Sequence, residues 1–321
     1  MKQFIAGLLF LFIYSDAFCW GFYGHQKINY LAVFLLPPEM ISFYKTHIDF
    51  ISTHAVDPDK RRYAIKEEGP RHYIDIDQYG SFPYPGLPRR YDSAVACYSE
   101  DTIQSHGIVP WWVQIMQARL TNAFKTKDAI KILKLSAEIG HYISDAHVPL
   151  HASHNHNGQY TGQHGIHGFW ESRVPELLAE HTFNFWIGKA DYLYRPDQFI
   201  WDRVLESAAA ADTVLTTEKE LTNVFPADLK YAFEERNGIV IRQYSSAFSI
   251  RYNELLKGMV ERRMRQSIYA VASFWYTAWV NAGQPSMKNL ENKALTEEEV
   301  NELNELNRLW REGKVKGRSC D

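Results

Sequence analysis

Apolar residues recur every three or four positions in Ile28 to Leu36, Trp111 to Phe124, Ala129 to Ile143, Phe199 to Val214 and Leu229 to Trp279. That period gathers them on one face of a helix, so each stretch predicts an amphipathic helix. Alternation of apolar and polar residues, the mark of a half-buried strand, is scarce. Within the longest stretch, Gly238 and Gly258 interrupt the pattern and predict either separate helices or bends. Trp111 and Trp112 follow Pro110 at a helix start and are read as core. The expected fold is all-α, a single mainly helical domain.

Between the helices lie two irregular segments. Residues 75–90, DIDQYGSFPYPGLPRR, hold three Pro, two Gly and three aromatic rings, a composition that breaks regular structure. Residues 149–168 are dense in His, Asn, Gly and Gln and join two helical stretches. Toward the C-terminus, Thr296 and Glu299 have capping-box spacing and open a charged amphipathic helix, read as a surface element without chemistry.

At the other end, Met1 and Lys2 precede an apolar run from Phe4 to Tyr14, well short of the roughly 20 residues that span a bilayer. Its length is that of a signal-peptide core, and Ala17 and Cys19 can serve as the small residues of a cleavage site. The chain is therefore divided into a signal peptide (1–19), a helical domain (20–290) and a C-terminal charged helix and tail (291–321). Secretion or transfer to a periplasm follows, with Trp20 as the first residue of the mature chain. Cleavage removes Cys19 and leaves Cys97 and Cys320, which could pair in an oxidising compartment.

Composition narrows the chemistry. The chain has 321 residues, 45% of them hydrophobic, enough for a sizeable core and too many for a disordered protein. A formal net charge of only −3 gives no global attraction to nucleic acid or anionic lipid, so a polyanionic substrate has to be held locally. Nothing in the sequence calls for a protein partner, and a monomer is expected.

Thirteen histidines are present, and several stand at metal-ligand spacing. In His141-Tyr-Ile-Ser-Asp145 an imidazole and a carboxylate lie four apart on a helix and point the same way, and His151 follows. His167-Gly-Phe-Trp-Glu171 repeats that spacing. Upstream, Asp57 in HAVDPDK, His72 in RHYID and His25 complete a set of donors suited to zinc. The free α-amino group of a processed Trp20 would titrate at about 7.7 to 8.0, so its amine and carbonyl oxygen could chelate a metal as well. His147, His154, His156 and His164 lack a partner at ligand spacing and are read as loop or supporting residues.

With Trp20, His25, Asp57, His72 in HYID, HYISDAHVPLH from His141 to His151, His167 and Glu171 in this order, the chain resembles the trinuclear zinc superfamily. That superfamily contains bacterial zinc-dependent phospholipase C and the single-strand-specific zinc nucleases. The resemblance runs from Trp20 to about Glu171. It implies a helical domain of the phospholipase C and single-strand nuclease type with a metal cleft and three Zn2+ ions. One ion falls to Asp57, His72, His141 and Asp145; a second to Trp20, His25 and a bridging Asp145; the third to His151, His167 and Glu171. It also implies in-line attack on a phosphodiester by a zinc-bridging hydroxide, with Asp57 and Asp145 in the catalytic group. In the nuclease branch a basic residue at the place of Lys60 faces the phosphate, and residues at the places of Tyr73 and Asp75 contact the base.

The two branches imply different substrates, phospholipid or single-stranded nucleic acid. The short Trp20 to His25 spacing resembles the nucleases. Glu171 in place of Asp, and the lack of Trp-Ala-Asp around Asp57, resemble the phospholipases, which is the preferred expectation. A third reading is an exported zinc-binding protein without turnover.

Overall fold

A computed structural model describes residues 21–236, 239–288, 290 and 295–316. Its helices are α1 (Gly21–Ala32), α2 (Pro38–Thr46), α3 (Ile48–Thr53), α4 (Asp57–Arg61), α5 (Tyr91–Tyr98), α6 (Glu100–His106), α7 (Val109–Thr126) and α8 (Ala129–Asp145). After the His-rich loop come α9 (Ile166–Gly168), a π-turn (Phe169–Arg173), α10 (Val174–Leu178) and α11 (Pro196–Val224). The chain continues through strands β1 (Tyr231–Arg236) and β2 (Ile239–Tyr244) to α12 (Ser246–Leu255), α13 (Met259–Asn281) and α14 (Glu297–Arg311). The fold is mainly helical, as the periodicity predicts.

Helix α8 is the centre of the bundle. Asp128 caps it by accepting a hydrogen bond from the Lys131 amide at 3.1 Å. Its last turns are buried all round, five consecutive residues from His141 to Asp145 included, because α1, α7 and α13 pack against it. Where α13 crosses, the Trp275 indole donates to the Ser136 carbonyl at 3.0 Å, and Tyr44 stacks on Trp275 with ring centres 5.0 Å apart. Trp111 and Trp112 are core residues, 3% and 8% exposed.

One helical expectation fails. The stretch from Leu229 to Trp279 opens with an antiparallel hairpin, in register from Tyr231 opposite Tyr244 to Arg236 opposite Ile239. Tyr231, Phe233, Ile239, Val240 and Ile241 are the aromatic and β-branched residues that favour a pleated surface, and Arg242 lies 3.7 Å over the Tyr231 ring. Gly258, at φ +72°, does separate α12 from α13; Gly238 lies outside the described residues.

The capping box at Thr296 and Glu299 is present, and α14 docks on the body of the protein. Trp310 meets the Phe22 ring at 5.2 Å, Lys134 bonds Glu299 at 2.9 Å, and Leu306 is buried. No helix among the described residues is long and apolar enough to cross a membrane. The expected signal peptide and cleavage site, and Cys320, lie outside the described residues.

Candidate metal centre

The centre forms where α1 and α8 approach closely enough for their histidines to touch. That approach depends on Gly140: a Cβ there would lie 2.0 Å from Asn29 Oδ1. Asn29 instead bridges the helices, donating to the Ala137 carbonyl at 2.9 Å and the Ile51 carbonyl at 3.3 Å. One turn before Asn29 on α1 is His25, and immediately after Gly140 on α8 is His141. The two rings stack with centres 3.7 Å apart.

Three groups of ligand atoms result: His25, His141 and Asp145; Asp59, His72 and His141; and His151, His167 and Glu171. Within each, the ligand atoms lie within 4.8 Å of one another, and every member is buried. Asp145 is the junction. Its Oδ2 is 3.0 Å from His72 Nδ1 and 3.2 Å from His141 Nε2, while its Oδ1 is 3.5 Å from His25 Nε2 and 3.9 Å from His151 Nδ1.

Backbone carbonyls set the tautomers of three rings. His141 Nδ1 lies 2.8 Å from the Ala55 oxygen, His151 Nδ1 2.5 Å from the His72 oxygen and His167 Nδ1 3.1 Å from the His156 oxygen. A carbonyl only accepts, so each Nδ1 carries a proton and each Nε2 is the nitrogen turned inward. The Nε2 atoms of His151 and His167 then face each other at 3.1 Å. Both nitrogens of His25, both oxygens of Asp59 and Oδ1 of Asp145 are buried without a hydrogen-bond partner. Buried acceptors turned toward one another are costly unless a cation lies among them, and imidazole with carboxylate is a zinc donor set. The residues therefore fit the metal.

Without a cation, protons balance the charges of the cluster instead. Burial, helped by His141, holds His25 well below the usual histidine range. Burial opposes a charge on His141 too, but Asp145 and Asp59 outweigh it and push the pKa up to about 9. Burial alone would raise Asp145; His141 and His151 reverse this and hold it well below the usual carboxylate range.

The geometry places the sequence-selected residues unequally. His25, His72, His141, Asp145, His151, His167 and Glu171 come together. Asp57 does not: it lies 2.6 Å from His54 Nδ1 and 3.5 Å from Lys60 Nζ, and Asp59 stands in the group instead, 3.7 Å from His141 and 3.8 Å from His72. Two residues apart on a helix are about 200° apart around its axis, so only one of the pair can face α8. Lys60 follows Asp57, its Nζ 5.9 Å from the Phe22 ring centre. The Tyr73 hydroxyl donates to the Ser105 carbonyl at 3.3 Å. Asp75 is buried, its carboxylate 3.1 Å from His154 Nδ1. Trp20 lies outside the described residues, but its neighbour Gly21 donates its amide to Ser172 Oγ at 3.1 Å, one residue beyond Glu171.

Of the remaining histidines, His147 is a core residue, its Nδ1 2.7 Å from the Ile143 carbonyl. His154 joins Asp75 to the Tyr160 hydroxyl, and the His156 carbonyl supports His167. Beyond His151 the chain borders a cavity of about 490 Å3, with Ala152 and Ser153 on one side and Asp212 and Lys219 of α11 on another.

No family model matches the chain, and no curated protein does. Among solved structures, alpha-toxin of Clostridium perfringens from avian strain SWCP aligns with 84% of this chain and 65% of its own, at 11% identity and a TM-score of 0.46. Alpha toxin from Clostridium absonum aligns with 87% of this chain and 67% of its own, at 12% identity and a TM-score of 0.45. The chain thus spans less than two thirds of the first of these.

Proposed function

We propose that this chain is an exported zinc-dependent phosphodiester hydrolase of the phospholipase C type. The observation that carries this reading is the junction at Asp145 and His141, where buried imidazoles and carboxylates from α1, α4, α8 and the segment before Tyr73 turn their acceptor atoms toward one another. Asp59, His72, His141 and Asp145 would hold one zinc ion. His25 and Asp145, with the amine of a processed Trp20, would hold a second. His151, His167 and Glu171 would hold a third, and three protein ligands leave a position open, as in catalytic rather than structural sites. When bound, the ions supply Lewis acidity toward a phosphoryl oxygen and a water acidified to a pKa of roughly 7.

The chain's own contribution is to fix and shield this centre. Carbonyl-locked rings present one nitrogen each without rotameric search, and burial of the described ligand residues keeps bulk water from screening the charges. Phospholipid is preferred over single-stranded nucleic acid on two grounds. Glu171 and the surroundings of Asp57 resemble the phospholipases, and the Asp75 carboxylate is engaged by His154.

The test is hydrolysis of phosphatidylcholine vesicles and of single-stranded DNA, side by side, by secreted protein with zinc, with a His141→Ala variant and a chelator as controls. Turnover of the lipid alone, lost in both controls, is expected. Turnover of DNA alone would move the chain to the nuclease branch. Silence on both with zinc bound would favour a zinc-binding protein without turnover.

A further inference from the structure

Glu68 lies behind His72 and is the residue whose role neither motif nor ligand spacing assigns. It is fully buried, at 0% exposure, within the 3-10 helix Lys66–His72. A buried carboxylate needs compensation, and this one has it: the Tyr142 hydroxyl donates to it, Arg71 donates at 2.5 Å and Arg61 at 3.5 Å. Both arginines are held in turn, Arg61 by Glu138 and Arg71 by stacking 4.1 Å from the Trp112 ring. The carboxylate is thus held in place, with Oε1 3.6 Å from His72 Nε2.

His72 is oriented opposite to its neighbours. His141, His151 and His167 send Nδ1 to a backbone carbonyl and Nε2 inward. His72 sends Nδ1 inward, 3.0 Å from both Asp145 Oδ2 and His141 Nε2, and its Nε2 has no hydrogen-bond partner at present. For Nδ1 to bind a metal the ring must carry its proton on Nε2 instead of sharing it with Asp145, and Glu68 Oε1, 3.6 Å away, is the carboxylate oxygen beside that nitrogen.

We infer that Glu68 is the positioning residue of the centre: it holds His72 as the Nε2–H tautomer and so presents Nδ1 as the ligand atom, a role that rests on the zinc reading above. The tyrosine and two arginines hold Glu68 in place so that it can do this.

Two measurements test the inference on secreted, zinc-loaded protein. In the wild type, nitrogen-15 NMR of the histidine rings should find His72 protonated on Nε2 and not on Nδ1; a ring protonated on Nδ1 overturns the inference whatever any variant does. In Glu68→Gln, competition with a graded chelator should show one zinc equivalent weakened by about 10- to 100-fold, the range for outer-shell partners. The equivalent on His151, His167 and Glu171 should be unchanged. Glu68→Asp keeps the charge and should recover part of the loss. Uniform weakening of all equivalents, or none in a folded variant, overturns the inference. Absence of zinc from the wild type would instead sink the function proposed above.

Discussion

Replacing Asp59 and Asp57 by Asn, separately, distinguishes the geometry from the sequence motif. Asp59 is 4% exposed and its carboxylate lies 3.7 and 3.8 Å from the inward nitrogens of His141 and His72. Removal of an outer-shell partner typically costs 10- to 100-fold in metal affinity, so loss of a direct carboxylate ligand should reach at least the upper end. About 100-fold corresponds to about 2.8 kcal/mol. Without zinc the sign reverses. Burial raises the Asp59 pKa despite His141 and His72, so the charge opposes folding and Asp59→Asn should melt at the wild-type temperature or above it. Asp57→Asn loses largely buried pairs with His54 and Lys60, so it should lower stability, but it should bind zinc within about twofold of wild type. Chelator competition and melting curves, with and without zinc, read both effects. If Asp57→Asn lost the zinc while Asp59→Asn kept it, the assignment from the geometry would be wrong.

Three further outcomes follow from the same contacts. Gly140→Ala drives a methyl group into Asn29 and should cost about 1 to 3 kcal/mol; because it also separates His25 from His141, chelator competition should show weaker zinc binding, and unchanged affinity would count against the junction. In zinc-free protein the raised pKa of His141, about 9 against 6.5, gives stability that is complete below pH 6.5 and lost as the pH rises to about 9. Burial holds His25 and His147 well below 6.5, so their contribution is present above that pH and lost below it. Melting temperature should therefore peak near pH 6.5, and an alkaline limb that survives in His141→Ala would refute the assignment to that residue. Trp275→Ala empties a fully buried site and breaks the bond to Ser136; a loss of about 3 to 5 kcal/mol in denaturant titration is expected, and a loss under 1 would deny α13 its place in the core.

Much of this architecture is legible from local spacing, because helix propensity and an i, i+4 pair are properties of a few neighbouring residues. Helices α7 and α8 follow from their apolar period, and His141 with Asp145, like His167 with Glu171, from the turn they share. The hairpin at Tyr231–Tyr244 is hidden because its β-branched and aromatic residues run directly into a long helical period that masks their own. Asp59 is hidden for another reason. HAVDPDK offers two carboxylates on one short helix, and which of them faces His141 depends on how α4 lies against α8, a fact of packing and not of the heptapeptide.

Glu68 and His72 carry this point furthest, since their spacing is the same i, i+4 as the two ligand pairs. On an α-helix, residues four apart differ by about 40° around the axis and point at a common ion. Residues 66–72, with Pro70 inside, form a 3-10 helix instead. At three residues per turn the same spacing opens to about 120°. Glu68 therefore meets the outer nitrogen of the His72 ring, 3.6 Å away, while the inner nitrogen is left to Asp145. A carboxylate and an imidazole at the same spacing thus give the proposed chelating pair on α8 and the proposed orienting pair before Tyr73. The difference lies in the pitch of the backbone, which Pro70 marks in the sequence but does not by itself specify.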